Sequence, residues 1–427
     1  MAFSIKHEVI AIYLIFFYAI AFPIFYDRLG SAGAILINGG LIVFCSLYLF
    51  NFSRFKIPIH SDQEKKIILI IISVFGFYFF SISASTLLSE RLIFRDLYEL
   101  HRPVLYTLIF CSSLYFFKKI EHLKHLKILI SLSFIIVVFL GINHYFRIED
   151  SLSALYTKRQ NIITERVSTP FPNPYDYSFY MLWPFCYFFI RSLTGNVLHV
   201  KVISAVLCLL SSTGVFLTQS RTGLILLVLE VFLILPVTLL IENTRNININ
   251  IISKKIFQYP LIILLVICFT IIVYNFYASE LSYLIVGIQR ILLEGDLGTG
   301  QTRVNLMALA LEKANNNFFV VLLGHGPSKA ILENPEAGYA YFIYRYGFLT
   351  LILFFFLPLF LSCFYLIKII RRKKTDSTIY MAILAWYLSL PVAYLSTNFT
   401  EQIRLSFLYY FLMGFIVKSY FLLSNKK

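Results

Sequence analysis

Twelve stretches of about 20 mostly apolar residues follow one another along this chain. They lie near 9–25, 32–50, 67–84, 103–118, 126–144, 175–190, 197–218, 223–241, 259–277, 341–368, 378–395 and 405–423. A stretch of that length spans the hydrocarbon of a bilayer as an α-helix, the form in which a segment satisfies its own backbone hydrogen bonds in lipid. The pattern predicts an all-α, polytopic integral membrane protein of about 12 transmembrane helices, with residues 1–427 as a single membrane domain. The run at 103–118 is short, and the run at 341–368 is long enough to cross at a tilt. Charge content agrees: 14% of residues are charged, against about 25% in soluble domains. The 44 Phe and 29 Tyr are expected at lipid-facing positions and in interfacial belts. The N-terminus has few early positive charges and no small-residue cleavage pattern, so its first run is expected to stay as a helix. All six cysteines fall inside apolar runs, none at metal-ligand spacing. They read as packing residues, and neither a metal nor a cofactor is expected.

The net charge of +15 would suggest nucleic acid in a soluble protein. Here it is the mark of basic loops near membrane lipids, and no nucleic-acid partner is expected. With the N-terminus inside, 22 of the 37 basic residues fall in cytoplasmic segments, and an even number of crossings returns the C-terminus, with Lys426 and Lys427, to the same side. The split between the two sides is uneven in kind. The cytoplasmic set holds 17 Lys and five Arg, the outer set twelve Arg and three Lys. Topology needs only positive charge, so an outer excess of Arg points to a different role. The guanidinium fork binds phosphate or carboxylate through two oxygens at once. Pairing with outer acids or lipid phosphates is the alternative.

Three outer segments are long enough to build a site. The first, 85–102, reads STLLSERLIFRDLYELHR and brings Arg91, Arg95, Asp96, Glu99 and Arg102 together. At helical spacing Arg95, Glu99 and Arg102 share a face, which describes either an interfacial amphipathic helix with internal ion pairs or a pair of anion ligands in Arg95 and Arg102. The second, 145–174, ends in three prolines, Pro170, Pro172 and Pro174, that prevent a helix. Asn173, Tyr175, Asp176 and Tyr177 follow. Their amide and phenol groups suit a sugar and equally suit a helix entry. The third, 278–340, is the longest and is expected to be a large helical loop between spans nine and ten. It reads as an amphipathic helix over 280–294 carrying Arg290, a break at Gly295, Gly298 and Gly300, and a second helix from about Thr302 with Arg303 in its first turn. Backbone amides at a helix start attract anions. The turn LLGHGPS, 322–328, then leads to ENPEAGYAYFIYRYG.

Between two spans lies QSRTG, 219–223, with almost no loop. It places Arg221 at the membrane edge, where an Arg is either functional or snorkelling from a helix end.

At these residues the chain resembles a known group. QSRTGLIL at 219–226, TRVNLMALALE at 302–312, LLGHGPS at 322–328 and the large late loop are similar to features of the superfamily of O-antigen polymerases (Wzy) and O-antigen ligases. The resemblance rests on architecture and a handful of short motifs in the same order. It implies that Arg221 and Arg303 hold a lipid pyrophosphate, as the matching ligase arginines do. Ligases also carry a His-Asn pair about eleven residues before the Gly that opens the next span. Counting back from Gly347 reaches Glu336 and Ala337 instead, and His325 lies elsewhere, in the GHGPS turn. That departure favours the polymerase branch, where an acid and a Tyr near this point match Glu333, Glu336, Tyr339 and Tyr341.

The resemblance implies an inner-membrane glycosyltransferase of lipopolysaccharide biosynthesis, with its active site on the periplasmic face. A glycan on undecaprenyl pyrophosphate is transferred to the sugar hydroxyl of a second lipid-linked repeat unit. Arg221 and Arg303 take the pyrophosphate, with Arg290 and Arg166 as further candidates. Glu336 is the expected base and His325 the reserve, and Asn173, Tyr175 and Tyr339 are the candidate sugar contacts. Coupling to a chain-length regulator is implied as well. The alternatives are a ligase, and a flippase or other transporter for the same lipid. For transport the sequence offers one clear charge, Glu230 in the eighth run.

Overall fold

A computed structural model describes residues 2–25, 29, 31–87, 93–157, 162, 166–195, 197–243, 286, 299–314, 318–329, 337–372, 377–399 and 402–424. The expected ninth span at 259–277, the helix over 280–294 with Arg290, and Glu333 and Glu336 lie outside the described residues.

The other eleven runs are helical. In chain order the helices are α1 Ala2–Ala21, α2 Ser31–Tyr48, α3 Asp62–Leu87, α4 His101–Phe116, α5 Leu123–Phe146, α6 Pro174–Thr194, α7 Leu198–Leu217 and α8 Arg221–Leu229. After them come α9 Thr299–Ala314, α10 Phe318–Leu323, α11 Gly338–Thr350, α12 Leu357–Arg372, α13 Thr378–Ala393 and α14 Ile403–Ser424. The α8 helix continues through a π-helical turn, Glu230–Ile234, into Leu235–Asn243, and a second π-helical stretch, Leu351–Phe356, joins α11 to α12. Among the described residues, seven helical segments are long and apolar enough to cross a membrane. The chain is a multi-pass membrane protein.

Local sequence explains several boundaries. Pro174 occupies the first turn of α6, where its missing N–H costs nothing. Ser220 caps α8, its hydroxyl accepting from the Gly223 amide at 3.2 Å. The run at 341–368 is not one tilted helix. Gly347 sits at φ +75° and breaks it, because the chain there passes so close to Leu322 that a Cβ would lie 2.1 Å from its carbonyl oxygen.

Burial separates an inner group of helices from an outer one. The apolar window of α14 is 94% buried against 33–50% in the other six long spans, and α6 and α13 are buried almost throughout. Enclosed by their neighbours on nearly all sides, these three form the centre. Small residues let neighbours approach: at Gly414 of α14 a Cβ would lie 2.6 Å from that of Ser113 on α4, and the Ser113 hydroxyl donates to the Phe411 carbonyl at 2.5 Å.

Polar contacts define two ends. At one, Lys118 pairs with Glu8 at 2.9 Å, the fully buried Lys418 and Glu64 pair, and Thr194 meets Thr378 at 3.2 Å. At the other, the amide of Gly338 donates to Tyr394, that of Val167 to Leu217, and that of Phe25 to Leu155. The candidate site lies at this second end.

Candidate functional site

The charged segment 93–102 folds as a short helix, Phe94–Leu97, and a 3-10 turn, Tyr98–Leu100, that runs straight into α4. Asp96 closes its start by accepting from the Ile93 amide at 3.1 Å. With its other oxygen it accepts from the Lys329 amide at 3.1 Å, so it fastens the GHGPS turn to this segment. That turn is seated from two further sides. Gly326, at φ +80°, packs so tightly that a Cβ would lie 2.3 Å from the Ser85 carbonyl oxygen, and its amide donates to Arg345. The neighbouring His325 amide donates to Tyr344 at 2.8 Å.

These contacts converge on Glu99, which is 1% exposed. Arg102 Nε stands 2.8 Å from its carboxylate and Lys329 Nζ pairs with the other oxygen. The Tyr346 and Tyr341 hydroxyls lie at 3.4 and 3.5 Å. Arg345 is fully buried, with its guanidinium 4.5 Å over the Tyr341 ring, and its charge also acts on Glu99. Burial by itself would push the Glu99 carboxyl up. Arg102, Lys329 and Arg345 outweigh it and hold it down to about 2. Three cations, Arg102, Lys329 and Arg345, thus gather where the segment places the carboxylates of Glu99 and Asp96. Next to it, burial and then Arg102 push the His101 imidazole down to about 4. The ring is held neutral between the Tyr98 carbonyl and the Asn38 side chain of α2, the latter at 2.7 Å.

A second polar neighbourhood is built on the turn before α8. Arg166 donates through Nε to the Thr218 carbonyl at 3.2 Å, three residues from Arg221 at the start of α8. At Gly223 a Cβ would lie 2.6 Å from the Ser178 hydroxyl, which itself donates to Tyr175. The fold therefore brings Arg166 and Arg221 to the first turn of α6, with Tyr175 and with Asn173, whose amide donates to Asp176 at 3.2 Å. Asp176 in turn accepts from Thr397 at 3.4 Å, and the Thr397 carbonyl and Tyr394 pack on Gly338 at the head of α11. Through 394–397 the second neighbourhood reaches the head of α11, the helix that carries Arg345.

The remaining predicted residues fall as follows. Arg303 lies in the second turn of α9, which starts three residues earlier than the sequence suggested, and α9 packs on α11, the helix that carries Arg345. His325 behaves as a turn histidine: its ring rests 5.0 Å from that of Tyr344 and its Nε2 is 3.3 Å from the Lys313 carbonyl. Tyr339 points into the bundle, donating to the Pro391 carbonyl at 2.8 Å. Glu336 and Arg290 lie outside the described residues. Lys329 and Arg345 were not among the predicted ligands. A signal for Arg345 was present, an arginine inside the aromatic run YFIYRYGF, where the cost of a charge in lipid applies as it does at Arg221. Nothing local marks Lys329, whose role depends on how the turn is seated.

No protein-family model matches this chain, and no curated protein matches it.

Proposed function

We propose that the chain is a polysaccharide polymerase of the O-antigen type, joining one undecaprenyl-pyrophosphate-linked glycan to another at the outer face of a bacterial inner membrane. The observation that carries this reading is the pair of cationic neighbourhoods at one end of the bundle: Arg102, Lys329 and Arg345 around Glu99, and Arg166 with Arg221 at the head of α8. A polymerase handles two lipid-linked pyrophosphates at once, donor and acceptor, and needs a cationic place for each. Both places lie at the end opposite the buried Lys418–Glu64 pair, which is the end the Lys-rich loops assign to the cytoplasm.

In the reaction the bond between the donor's anomeric carbon and its pyrophosphate oxygen breaks. A bond forms from that carbon to an acceptor sugar hydroxyl, whose proton passes to a base. The leaving pyrophosphate gains charge, and fixed guanidinium and ammonium groups in a partly dry site stabilise it as it departs. Glu99, held down to about 2 by three cations, is too weak a base for the hydroxyl. Its part is to hold the cations in place. Glu336 keeps the role of base that the family resemblance implies.

A specific observation favours a second reading, transport of the same lipid. Glu230 is fully buried halfway along α8 on a π-helical turn, beside Cys186 and Ser389. Intramembrane carboxylates on irregular helices are common in transporters.

The test is deletion in the native host, complementation, and a gel of extracted lipopolysaccharide. Under the polymerase reading the deletion leaves core with a single repeat, wild type restores the ladder, and Arg345→Ala, Lys329→Ala and Arg221→Ala do not at matched membrane levels. Bare core with polymer accumulating on the lipid carrier would make the protein a ligase. Bare core with single repeats trapped on the inner leaflet would make it a flippase.

A further inference from the structure

One well-formed concavity of this molecule lies away from the charged cluster. It is a groove of about 580 Å³ between α1 and α2, lined by apolar and aromatic side chains, with one amide, Asn51, and no charged group. Ile15 and Tyr48 form its buried floor, while Leu14, Phe44 and Leu47, between 43 and 64% exposed, leave its long side open to where lipid would lie. Its lining follows the second half of α1, from Ala11 to Ala21, and continues past the helix end to Phe22 and Pro23. An occupant of that shape is a chain.

The upper mouth of the groove, Ala21–Pro23, is tied directly to the second cationic neighbourhood. Arg404, buried at the start of α14, donates to the carbonyls of Phe22 at 2.8 Å, Ala19 at 3.3 Å and Pro170 at 2.9 Å. Tyr156 donates to the Ala21 carbonyl at 2.7 Å. Pro170 lies in the same short segment as Arg166, and Val167 is bonded to Leu217 just before the Arg221 turn. Head-group chemistry at Arg166 and Arg221 and an apolar furrow leading from the adjoining backbone into the membrane together describe a lipid with an anionic head and one long tail.

We propose that this groove seats the polyprenyl tail of one lipid-pyrophosphate substrate, with its head group at Arg166 and Arg221. The proposal rests on the polymerase reading for the identity of the lipid. The lining favours a polyprenyl chain over a phospholipid acyl chain. Tyr18 lies tilted against Phe22 at 4.6 Å and meets Phe44 edge-on at 4.9 Å, giving a wall of ring faces and edges. Branched, unsaturated isoprene units offer methyl and vinyl groups to such rings at every step, and a single tail fits one furrow where a phospholipid brings two.

Photo-crosslinking tests this without relying on turnover. A benzoyl-phenylalanine replaces Leu14 or Leu47 in the full chain, reconstituted in phospholipid nanodiscs with radiolabelled undecaprenyl pyrophosphate carrying no sugar. Ile135 and Phe139 of α5, 60 and 63% exposed, provide lipid-facing controls. The expected result is labelling at 14 and 47 well above that at 135 and 139, lost when unlabelled undecaprenyl pyrophosphate competes and kept when phospholipid is added instead. Equal labelling at all four sites, crosslinks to phospholipid alone, or crosslinks to a second copy of the chain would each overturn the proposal. Failure here with an intact ladder on the gel removes the groove and leaves the polymerase. Specific labelling with no ladder removes the polymerase and leaves a polyprenyl-binding groove.

Discussion

Glu99 concentrates more interactions than any other residue at the charged end, and its substitution tests the cluster most directly. Removing one partner of a buried ion pair strands the others, at a cost of about 3–5 kcal/mol. Glu99→Gln is therefore expected to lower the thermal midpoint clearly in detergent, as read by loss of monodisperse protein on heating. Its acid dependence has a definite sign. The folded value of about 2 lies below the ordinary 4.5, so the fold favours the ionised form. The stabilisation is complete above pH 4.5 and is lost as pH falls towards 2. Wild type should lose stability across that window and Glu99→Gln should be flatter there; parallel curves would mean that Glu99 is not held by the cations. His101 acts at higher pH. Held down to about 4 from 6.5, it binds a proton more readily in the unfolded chain, so stability should decline as pH drops from 6.5 to 4. His101→Gln, which cannot charge, should remove that decline.

At the scale of elements, single residues join segments distant in sequence. Arg404 holds the end of α1, the proline segment before α6 and the start of α14 through three carbonyls. Hydrogen bonds to a charged group are each worth about 1.5–3 kcal/mol. Arg404→Ala is expected to give the largest loss of heat stability of any single variant at this end of the bundle, and Arg404→Lys to recover little, because an ammonium cannot reproduce the planar fork. Membrane levels and a melting curve of purified protein would show it, and a fully stable Arg404→Lys would refute the requirement for the fork. The GHGPS turn is the second such element. Gly326 has positive φ and no room for a Cβ against Ser85. Gly326→Ala should displace the turn, carry Lys329 away from Glu99 and abolish chain elongation, while the helices remain folded by circular dichroism.

For the whole molecule, orientation in the membrane has a direct readout. Glu121, in the turn between α4 and α5, lies at the end of the Lys418–Glu64 pair, and the exposed Ile148 lies at the other. In intact spheroplasts a membrane-impermeant maleimide is expected to label Ile148→Cys and to reach Glu121→Cys only after permeabilisation. The opposite pattern would place the charged cluster in the cytoplasm and end the polymerase reading, since the elongation it describes takes place outside. The background is low because the native cysteines among the described residues are buried or half-buried in helices.

Hydropathy alone determined that this chain belongs in a membrane as helices, because the cost of leaving backbone groups unsatisfied in lipid admits little else. Every apolar run within the described residues is a helix. The same local logic located Arg221 beside a helix start and the prolines before α6. It did not order the helices into a centre and a periphery, since α6 and α14, two of the three central helices, are no more apolar in sequence than α5 and α7 outside them. Nor did it assemble the charged cluster. Glu99 and Arg102 are three residues apart and were legible as a pair, but Lys329 and Arg345 meet them across more than 200 residues of chain. That meeting depends on where a glycine turn packs against α3 and where Gly347 bends α11. Contacts of that range are selected by packing, whose geometry is set by all the helices together, and so only the tertiary structure decided which of the outer cations share a site.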